Sequence, residues 1–320
     1  MTNDNQKPII EFANVSKKYK EVEALKDASF AINKGDIFGY IGHNGAGKTT
    51  TLKILVGLIR DYSGEVLIAG ESLQGHMDLS NLIGYLPQDV GFQEWRTVDH
   101  ALMTFGLLSG MKKSEVTQRI PEILELVGLT EVRHRKIKYL SGGMQQKLKL
   151  AQALIHDPEV LILDEPMSGL DPTSRYQMKN IIRTLAESEK TILFSSHILG
   201  DVADIATTIG IIKDGEIKRI GTPLELQEEL TEGDAIELVG HNLADSIEQI
   251  NSLPNVEQVT LSSNSHDRVV VTFSTETNID DAIIQLMAFL SENKIAIQNF
   301  NYLKPSLEQV YLKYMAGGTA

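Results

Sequence analysis

The sequence has no cysteine among its 320 residues, which excludes disulfides, thiolate nucleophiles and cysteine-ligated metal sites. It also has no apolar run that approaches the roughly 18 residues needed for a membrane-spanning helix. The first six residues are polar and lack the apolar core of a signal peptide. From these absences we expect a cytoplasmic protein without a membrane span of its own.

Basic residues are also in short supply. There are 30 Lys and Arg against 43 Asp and Glu, which gives a net charge of −13. From residue 231 onward the imbalance is stronger, with 4 basic against 12 acidic residues. Because nucleic-acid binding relies on neutralising phosphates, an acidic chain without a basic stripe argues against nucleic acid as the main partner.

The length suggests roughly two domains, and residues 1–230 have the pattern of an α/β domain. Short apolar runs predict strands at residues 9–12, 28–32, 66–69, 82–86, 160–163 and 191–195. The last two are continuous apolar runs, which are typical of buried parallel strands. The Asp214-Gly215 pair predicts a β-hairpin.

Helices are predicted within the same domain from apolar residues at helical spacing. Residues 98–108 and 114–127 have this pattern and belong to a helical subdomain of about residues 97–156. Pro121 lies inside the second of these helices and predicts a break or a kink. A further helix is predicted at residues 172–187, with proline near its start.

Residues 231–320 predict a second, smaller α+β domain. The order of its elements, βαββαβ, is that of the ferredoxin-like unit. A final helix is predicted to begin at Ser306, with Gln309 placed to complete a capping box.

A glycine-rich loop that fits G-x-x-x-x-G-K-[ST] is the most informative segment. It follows an apolar run at residues 37–41 and precedes a helical pattern that begins at Lys48. Glycines let successive N–H groups point inward, and the helix N-terminus adds its positive end. Lys48 would reach the β- and γ-phosphates and Thr49 would ligate Mg²⁺, which favours triphosphate binding over a chance glycine-rich turn. The predicted binding residues of the loop are Gly42, His43, Asn44, Gly45, Ala46, Gly47, Lys48, Thr49 and Thr50.

The apolar run at residues 160–163 ends in two carboxylates, Asp164 and Glu165. At the C-terminal edge of an α/β sheet such residues face the ligand crevice. Asp164 would hold Mg²⁺ opposite Thr49, and Glu165 is placed to polarise a water for attack on the γ-phosphate. Such pairs also occur at surface turns, and the phosphate loop in the same chain favours the catalytic interpretation.

A second candidate anion site begins at Ser141, followed by Gly142 and Gly143 at the start of a helix. An ordinary serine N-cap is the alternative interpretation. Glycine is roughly 0.5–1 kcal/mol worse than alanine in a helix interior, and a close backbone approach to a ligand would account for two of them. The segment therefore predicts a second anion-binding helix N-terminus in one chain.

With these motifs in this order, residues 8–222 resemble the ATP-binding-cassette (ABC) ATPases. Residues 140–146 are similar to the signature motif LSGGQ, with Met144 where glutamine is usual. Asp164 and Glu165 match the Walker B aspartate and the catalytic glutamate. The other matches are the Q-loop glutamine at Gln88, the D-loop at residues 168–171, the switch histidine at His197 and the adenine-stacking aromatic at Tyr19.

The resemblance implies a P-loop NTPase fold that binds ATP and Mg²⁺. In this family two cassettes dimerise head to tail, so that each ATP lies between the phosphate loop of one subunit and the signature of the other. Ser141, Gly142 and Gly143 would then contact the γ-phosphate across the interface. Dimerisation also explains why one chain carries two anion-binding helix ends.

Further roles follow from the resemblance. His197 would act in catalysis by stabilising the γ-phosphate and the attacking water, and Gln88 would ligate the metal and couple the site to a partner. Tyr19 would stack on adenine, and an exposed tyrosine at a strand end is the alternative. Lys147 replaces the arginine of many relatives and lacks its planar fork. Neither Lys147 nor Met144 belongs to the hydrolytic core, so we expect an active ATPase.

The C-terminal region indicates which group of ABC ATP-binding subunits the chain resembles. Residues 305–311 resemble the tail of ATP-binding subunits that serve ABC-2 type permeases. We therefore expect the ATPase subunit of an exporter, peripheral on the inner face of the cell membrane, which works with a separate membrane permease as a homodimer or as a pseudo-dimer with a related cassette. Trp95 lies in the region that this family uses to grip the permease, or it belongs to a local core.

Two other classes of function stay open from the sequence. One is a soluble ABC ATPase that acts on ribosomes or DNA, although ribosome-acting relatives normally carry two cassettes and DNA-acting relatives carry long coiled coils. The other is a regulatory protein whose acidic C-terminal domain binds a small ligand.

Overall fold

The computed structural model of the protein describes residues 7–74, 81–89, 91–228, 234–241, 243–261, 267–274, 278–303 and 307–316. The chain divides into two compact units. The first consists of the chain up to Pro223 together with the segment from Lys313, and the second is Leu224–Leu312. The predicted boundary between residues 230 and 231 lies outside the described residues.

The strands and helices are numbered here in chain order. The strands are β1 (Ile10–Tyr19), β2 (Val22–Ile32), β3 (Ile37–Ile41), β4 (Ser63–Ile68), β5 (Glu71–Ser72), β6 (Ile83–Leu86), β7 (Val160–Leu163), β8 (Thr191–Ser196), β9 (Thr208–Lys213), β10 (Glu216–Gly221), β11 (Ala235–Gly240), β12 (Val256–Leu261), β13 (Arg268–Phe273) and β14 (Ile297–Leu303). The helices are α1 (Lys48–Leu55), α2 (Val98–Leu108), α3 (Lys113–Leu126), α4 (Gly142–Leu154), α5 (Pro172–Glu187), α6 (Leu199–Ala203), α7 (Pro223–Glu228), α8 (Ile247–Asn251), α9 (Ile279–Glu292) and α10 (Leu307–Ala316). None of these helices combines the length and the apolar character that crossing a bilayer requires.

A six-stranded sheet with the order β10-β9-β3-β8-β7-β6 forms the centre of the first unit. The strands from β9 to β6 are parallel, and β10 pairs antiparallel with β9. The predicted hairpin turn joins these two strands, and Asp214 and Gly215 both have positive φ angles, of 51° and 83°. Strands β3, β7 and β8 are buried along their whole lengths. This burial is typical of parallel strands that are covered on both faces.

A second, antiparallel sheet has the order β2-β1-β4-β5. Its first two strands are much longer than predicted, since the apolar pattern indicated only residues 9–12 and 28–32. The pairing register of β1 shifts between Phe12 and Val15 and again between Val15 and Lys17. Asn14, within the first shift, has a φ of 50°. These irregularities interrupt the alternation of apolar and polar residues by which a strand is recognised.

Helices α2, α3 and α4 pack on one another in the region predicted to be helical. A break at Pro121 is not observed, because α3 is continuous through it. Buried side chains lie on both sides of the proline, at Val116, Ile120, Ile123 and Leu124. Packing of this single stripe outweighs the one N–H donor that proline removes.

The second unit contains a sheet with the order β12-β13-β11-β14, in which all neighbours are antiparallel. With α8 and α9 between the strands, this arrangement confirms the predicted ferredoxin-like unit. Its core contains Leu238, Val271 and Leu286, all fully buried. The first helical segment of this unit is a 3-10 turn at Leu243–Ser246 followed by α8. The predicted helix start at Ser306 lies outside the described residues.

Candidate active site

The glycine-rich loop joins β3 to α1, and geometry requires its glycines. Gly45 and Gly47 have φ angles of 87° and 114°, which side chains rarely adopt. A side chain on Gly42 would lie 2.5 Å from the carbonyl oxygen of Ile212. Helix α1 begins at Lys48, and its N-terminus receives no side-chain cap from the described part of the chain. The N–H groups of its first turn therefore remain available to an anion.

Lys48 is a buried ammonium group, with 6% of the residue exposed. Its Nζ donates to the carbonyl oxygens of Gly42, at 2.7 Å, and His43, at 3.3 Å. It also lies 3.5 Å from Glu165 Oε1. The imidazole of His43 faces away from this contact and lies 3.3 Å from Asp214 Oδ1. Of the remaining loop residues, Asn44 is exposed, Ala46 is buried and Thr50 is half-buried.

Asp164 is 1% exposed and lies directly after β7. Its Oδ1 accepts hydrogen bonds from Ser195 Oγ at 2.7 Å and from Thr49 Oγ1 at 3.3 Å. Its other oxygen, Oδ2, is buried without a hydrogen-bond partner among the described residues. Burial raises the pKa of the Asp164 carboxyl. A buried, unpaired carboxylate oxygen beside a threonine hydroxyl fits a divalent cation, which prefers such oxygen ligands.

Glu165 is held by contacts on both carboxylate oxygens. Its Oε2 lies 2.8 Å from His197 Nδ1, and its Oε1 faces Lys48. The backbone N–H of Glu165 donates to Ser195 Oγ at 2.9 Å. The φ angle of Glu165 is 51°, an unfavourable value for a residue with a side chain. Such strain, held in place by surrounding contacts, is a feature of functional sites.

Gln88 lies just beyond β6, and Tyr19 is the last residue of β1. Gln88 is exposed and follows β6 by two residues, and the carbonyl of Leu86 accepts a hydrogen bond from the N–H of Asp164 at 2.8 Å. Tyr19 is 44% exposed and pairs with Val22 across the β1–β2 turn. Two residues further along β2, the carbonyl oxygen of Ala24 limits the space at Gly47 in the phosphate loop. Gln88 thus follows the strand that pairs with β7, at the end where Asp164 lies, and Tyr19 ends the strand that pairs with β2.

The signature segment behaves differently. Ser141 is the N-cap of α4, and its Oγ accepts from Met144 N at 3.3 Å. A side chain on Gly142 would meet nothing within 4 Å, whereas one on Gly143 would lie 2.3 Å from Ser174 Oγ. The close approach that explains Gly143 is therefore to a protein side chain. Within the described ranges, no hydrogen bond or ion pair joins residues 141–143 to the phosphate loop.

Two residues of the site have no role in the sequence analysis. Ser195, near the end of β8, donates from Oγ to Asp164 Oδ1 and accepts from the backbone N–H of Glu165. The feature of the sequence that could have indicated this role is a hydroxyl residue at the end of a buried strand. Tyr85 precedes Gln88, and its hydroxyl is buried without a partner among the described residues. Burial, together with the nearby charge of Asp164, raises the pKa of Tyr85 to about 12.

Residues 25–168 match the family described as ABC transporter. A linearmycin resistance ATP-binding protein of Bacillus subtilis is 31% identical to this chain, over 95% of this chain and 97% of its own. The Nod factor export ATP-binding protein I of Ralstonia nicotianae is 34% identical over 74% of each chain. The chain belongs to the ABC transporter ATP-binding proteins.

This ABC subunit also resembles solved cassettes. A dimeric ATP-binding cassette in a post-hydrolysis state, bound to ADP and Pi, matches 67% of this chain and 98% of its own. The TM-score is 0.61 and the sequence identity is 26%. The predicted fold class and the family resemblance are confirmed, and the chain is an ATPase that binds nucleotide.

Proposed function

We propose that this ABC subunit hydrolyses Mg-ATP between two copies of the chain and thereby drives export through a separate membrane permease. The observation that carries the proposal is the division of anion-binding groups. Lys48, Thr49, Asp164 and Glu165 lie together, while the helix N-terminus that Ser141 caps has no hydrogen bond or ion pair to them within the described residues. A second copy would supply that missing end.

The chemistry rests on groups that the fold holds in place. The loop N–H groups and Lys48 bind the β- and γ-phosphates. Glu165 accepts a proton from the attacking water. His197 orients Glu165 through Nδ1, and a protonated imidazole donates from Nε2 to the γ-phosphate as well. Tyr19, which is 44% exposed, would stack its ring on adenine.

The residues present fit a magnesium ion. Asp164 and Thr49 would hold it, with Gln88 as a third oxygen donor, and the ion would neutralise charge on the β- and γ-phosphates. Support comes from Asp164, which keeps one buried oxygen unpaired although Ser195 fixes the other.

Mixing two inactive variants tests the composite site. Lys48→Ala disables the phosphate loop, and Ser141→Arg blocks the signature. If the sites are shared, a mixed dimer pairs the intact loop of one chain with the intact signature of the other. An equimolar mixture should then recover up to about a quarter of the parental sites. Hydrolysis by a strictly monomeric parent, or no recovery on mixing, would refute the shared site.

The role in export is supported by the two relatives, whose names refer to linearmycin resistance and to Nod factor export and not to ribosomes or DNA. We place the chain at the inner face of the cell membrane, bound to a permease of the ABC-2 type. Trp95 suits a partner contact, because it is 62% exposed and stacks with Arg96 at 5.1 Å.

Co-purification with the permease chain tests this contact. Trp95→Ala should reduce recovery of the permease, while Ile284→Ala, at an equally exposed apolar residue on α9, should not. Equal recovery with both variants would exclude Trp95 from the contact.

A further inference from the structure

The two glycines of the signature meet different surroundings. Gly142 has open space around it, but a side chain on Gly143 would lie 2.3 Å from Ser174 Oγ and 2.9 Å from Ser174 Cβ. Distances this short cannot be relieved by rotating one hydroxyl, because the Cβ atom is involved too. Gly143 is therefore a point of close approach between α4 and α5.

Ser174 is not free to move away from Gly143. Its Oγ donates to Asp171 Oδ2 at 2.6 Å, and its N–H donates to Asp171 Oδ1 at 3.0 Å. Asp171 is the N-cap of α5 and matches the last residue of the D-loop. The two hydrogen bonds lower the pKa of Asp171, so its carboxylate is a charged acceptor. Displacing Ser174 would open this cap.

Two other hydrogen bonds tie the same end of α4 to the body of the subunit. Gln146, which is 9% exposed, donates from Nε2 to the carbonyl oxygen of Pro166 at 2.9 Å. Lys147 Nζ donates to Gln177 Oε1 at 2.7 Å. The first turns of α4 are thus fixed both to α5 and to the residue that follows Glu165.

We infer that Ser174 is a positioning residue that fixes the signature end of α4 against the cap of the D-loop helix. Gly143 is glycine because Ser174 occupies the space of its side chain. The signature, which meets the partner's ATP, is thereby held in register with the segment that carries the subunit's own Glu165. This consequence for the partner's ATP rests on the proposed function, whereas the packing of Gly143 on Ser174 does not.

A double-mutant cycle tests the inference. Gly143→Ala should lower kcat at least about tenfold, because displacements of about 1 Å in a catalytic assembly are costly, and should leave ATP affinity at the phosphate loop unchanged. In a Ser174→Gly background, which removes both conflicting atoms, the same change should cost no more than about twofold. Gly142→Ala is the matched control, and its effect should be the same in both backgrounds.

Thermal unfolding without nucleotide provides a second readout that does not depend on dimerisation. Gly143→Ala should lower the midpoint, and Ser174→Gly should remove that loss. If Gly143→Ala alone does not fold, recovery of a folded, active double variant supports the inference. Equal damage in both backgrounds, or equal relief of Gly142→Ala, overturns it. A failure of the shared ATP site would appear in the subunit-mixing experiment and would leave this thermal result unchanged.

Discussion

Replacing Glu165 by Gln keeps the shape of the side chain and removes its negative charge. In the folded subunit that charge faces His197 Nδ1 at 2.8 Å and Lys48 Nζ at 3.5 Å. Lys48 and Glu165 are both at least nine-tenths buried. The change therefore removes the proposed proton acceptor and the counter-charge of Lys48, the proposed phosphate-binding lysine.

Loss of the proton acceptor should slow turnover, whereas loss of the counter-charge of Lys48 should tighten ATP binding. Loss of a general base should lower kcat by about 10²–10⁴-fold. At 3.5 Å, the attraction between Lys48 and Glu165 is about 5 kcal/mol at an effective dielectric constant of about 20, and about 1 kcal/mol in bulk water. ATP competes for Lys48 and brings negative charge toward Glu165. A net relief of about 1.4 kcal/mol would tighten ATP binding about tenfold.

Phosphate release at saturating Mg-ATP measures kcat, and calorimetric titration measures the Kd for ATP. Glu159→Gln is the matched control, because Glu159 immediately precedes β7 while Glu165 follows its other end. The side chain of Glu159 is 63% exposed and lies 4.0 Å from Lys34. Since exposed ion pairs contribute little, Glu159→Gln should change both quantities by less than about twofold.

Either of two results would contradict this account of Glu165. Phosphate release by Glu165→Gln at the parental rate would remove it as the catalytic base. Weaker binding of ATP would show that the contact between Glu165 and Lys48 organises the loop and does not compete with nucleotide.

Three further predictions concern the proposed metal ligand Asp164, the proposed adenine contact of Tyr19 and the removal of the second unit. Burial raises the pKa of Asp164, so its charge is a cost to the folded state above that pKa. Asp164→Asn should therefore abolish Mg²⁺-dependent hydrolysis yet raise the stability of the metal-free protein at pH 8. Thermal unfolding in chelator should show this gain shrink as the pH falls through the raised pKa toward the ordinary carboxyl value. Tyr19→Ala should weaken ATP binding about tenfold in calorimetry and Tyr19→Phe should not, because the ring face carries the contact. A chain that ends at residue 230 should unfold in one cooperative thermal transition. Its midpoint temperature should be lower than that of the full chain, because it lacks the hydrogen bond from Lys213 Nζ to Met315 O. Aggregation of this shorter chain would mean that the two units share a core.

Element boundaries could be predicted from the sequence where local chemistry sets them. Helices α2 and α5 begin and end at the predicted residues. Thr97 accepts the N–H of His100 at 3.2 Å, and Asp171 caps a helix whose first residue is Pro172. These are side-chain caps within one turn of the boundary, so the sequence contains the whole cause.

Boundaries set by pairing between distant segments could not be predicted in this way. Strand β1 extends to Tyr19 because β2 and β4 supply hydrogen-bond partners across its bulges. Pro121 stays helical because buried neighbours on other helices hold α3 together. Both outcomes depend on residues far along the chain, which a local pattern does not contain.

The role of Ser195 in the site could not be predicted for the same reason, because it depends on the order of distant strands in the sheet. The sequence indicates that the residues after β3 and after β7 belong to one site, but it does not show which strand lies between these two strands in the sheet. In the sheet, β8 occupies that position. Its last residues therefore stand between the phosphate loop and the carboxylates, where Ser195 bonds to Asp164 and to Glu165.

In the proposed dimer, helix α4 would contact the partner's ATP at its N-terminus and the subunit's own Glu165 segment along its side. Its N-terminus, where Ser141 is the N-cap and a side chain on Gly142 would meet no described residue within 4 Å, would receive the partner's nucleotide in the proposed dimer. Its side is fixed through Gln146 to Pro166, directly after Glu165. A displacement of α4 by the partner's ATP would therefore be transmitted to the catalytic glutamate of the same subunit. If each site is shared between two chains as proposed, hydrolysis per subunit should rise steeply with protein concentration below the dissociation constant of the dimer.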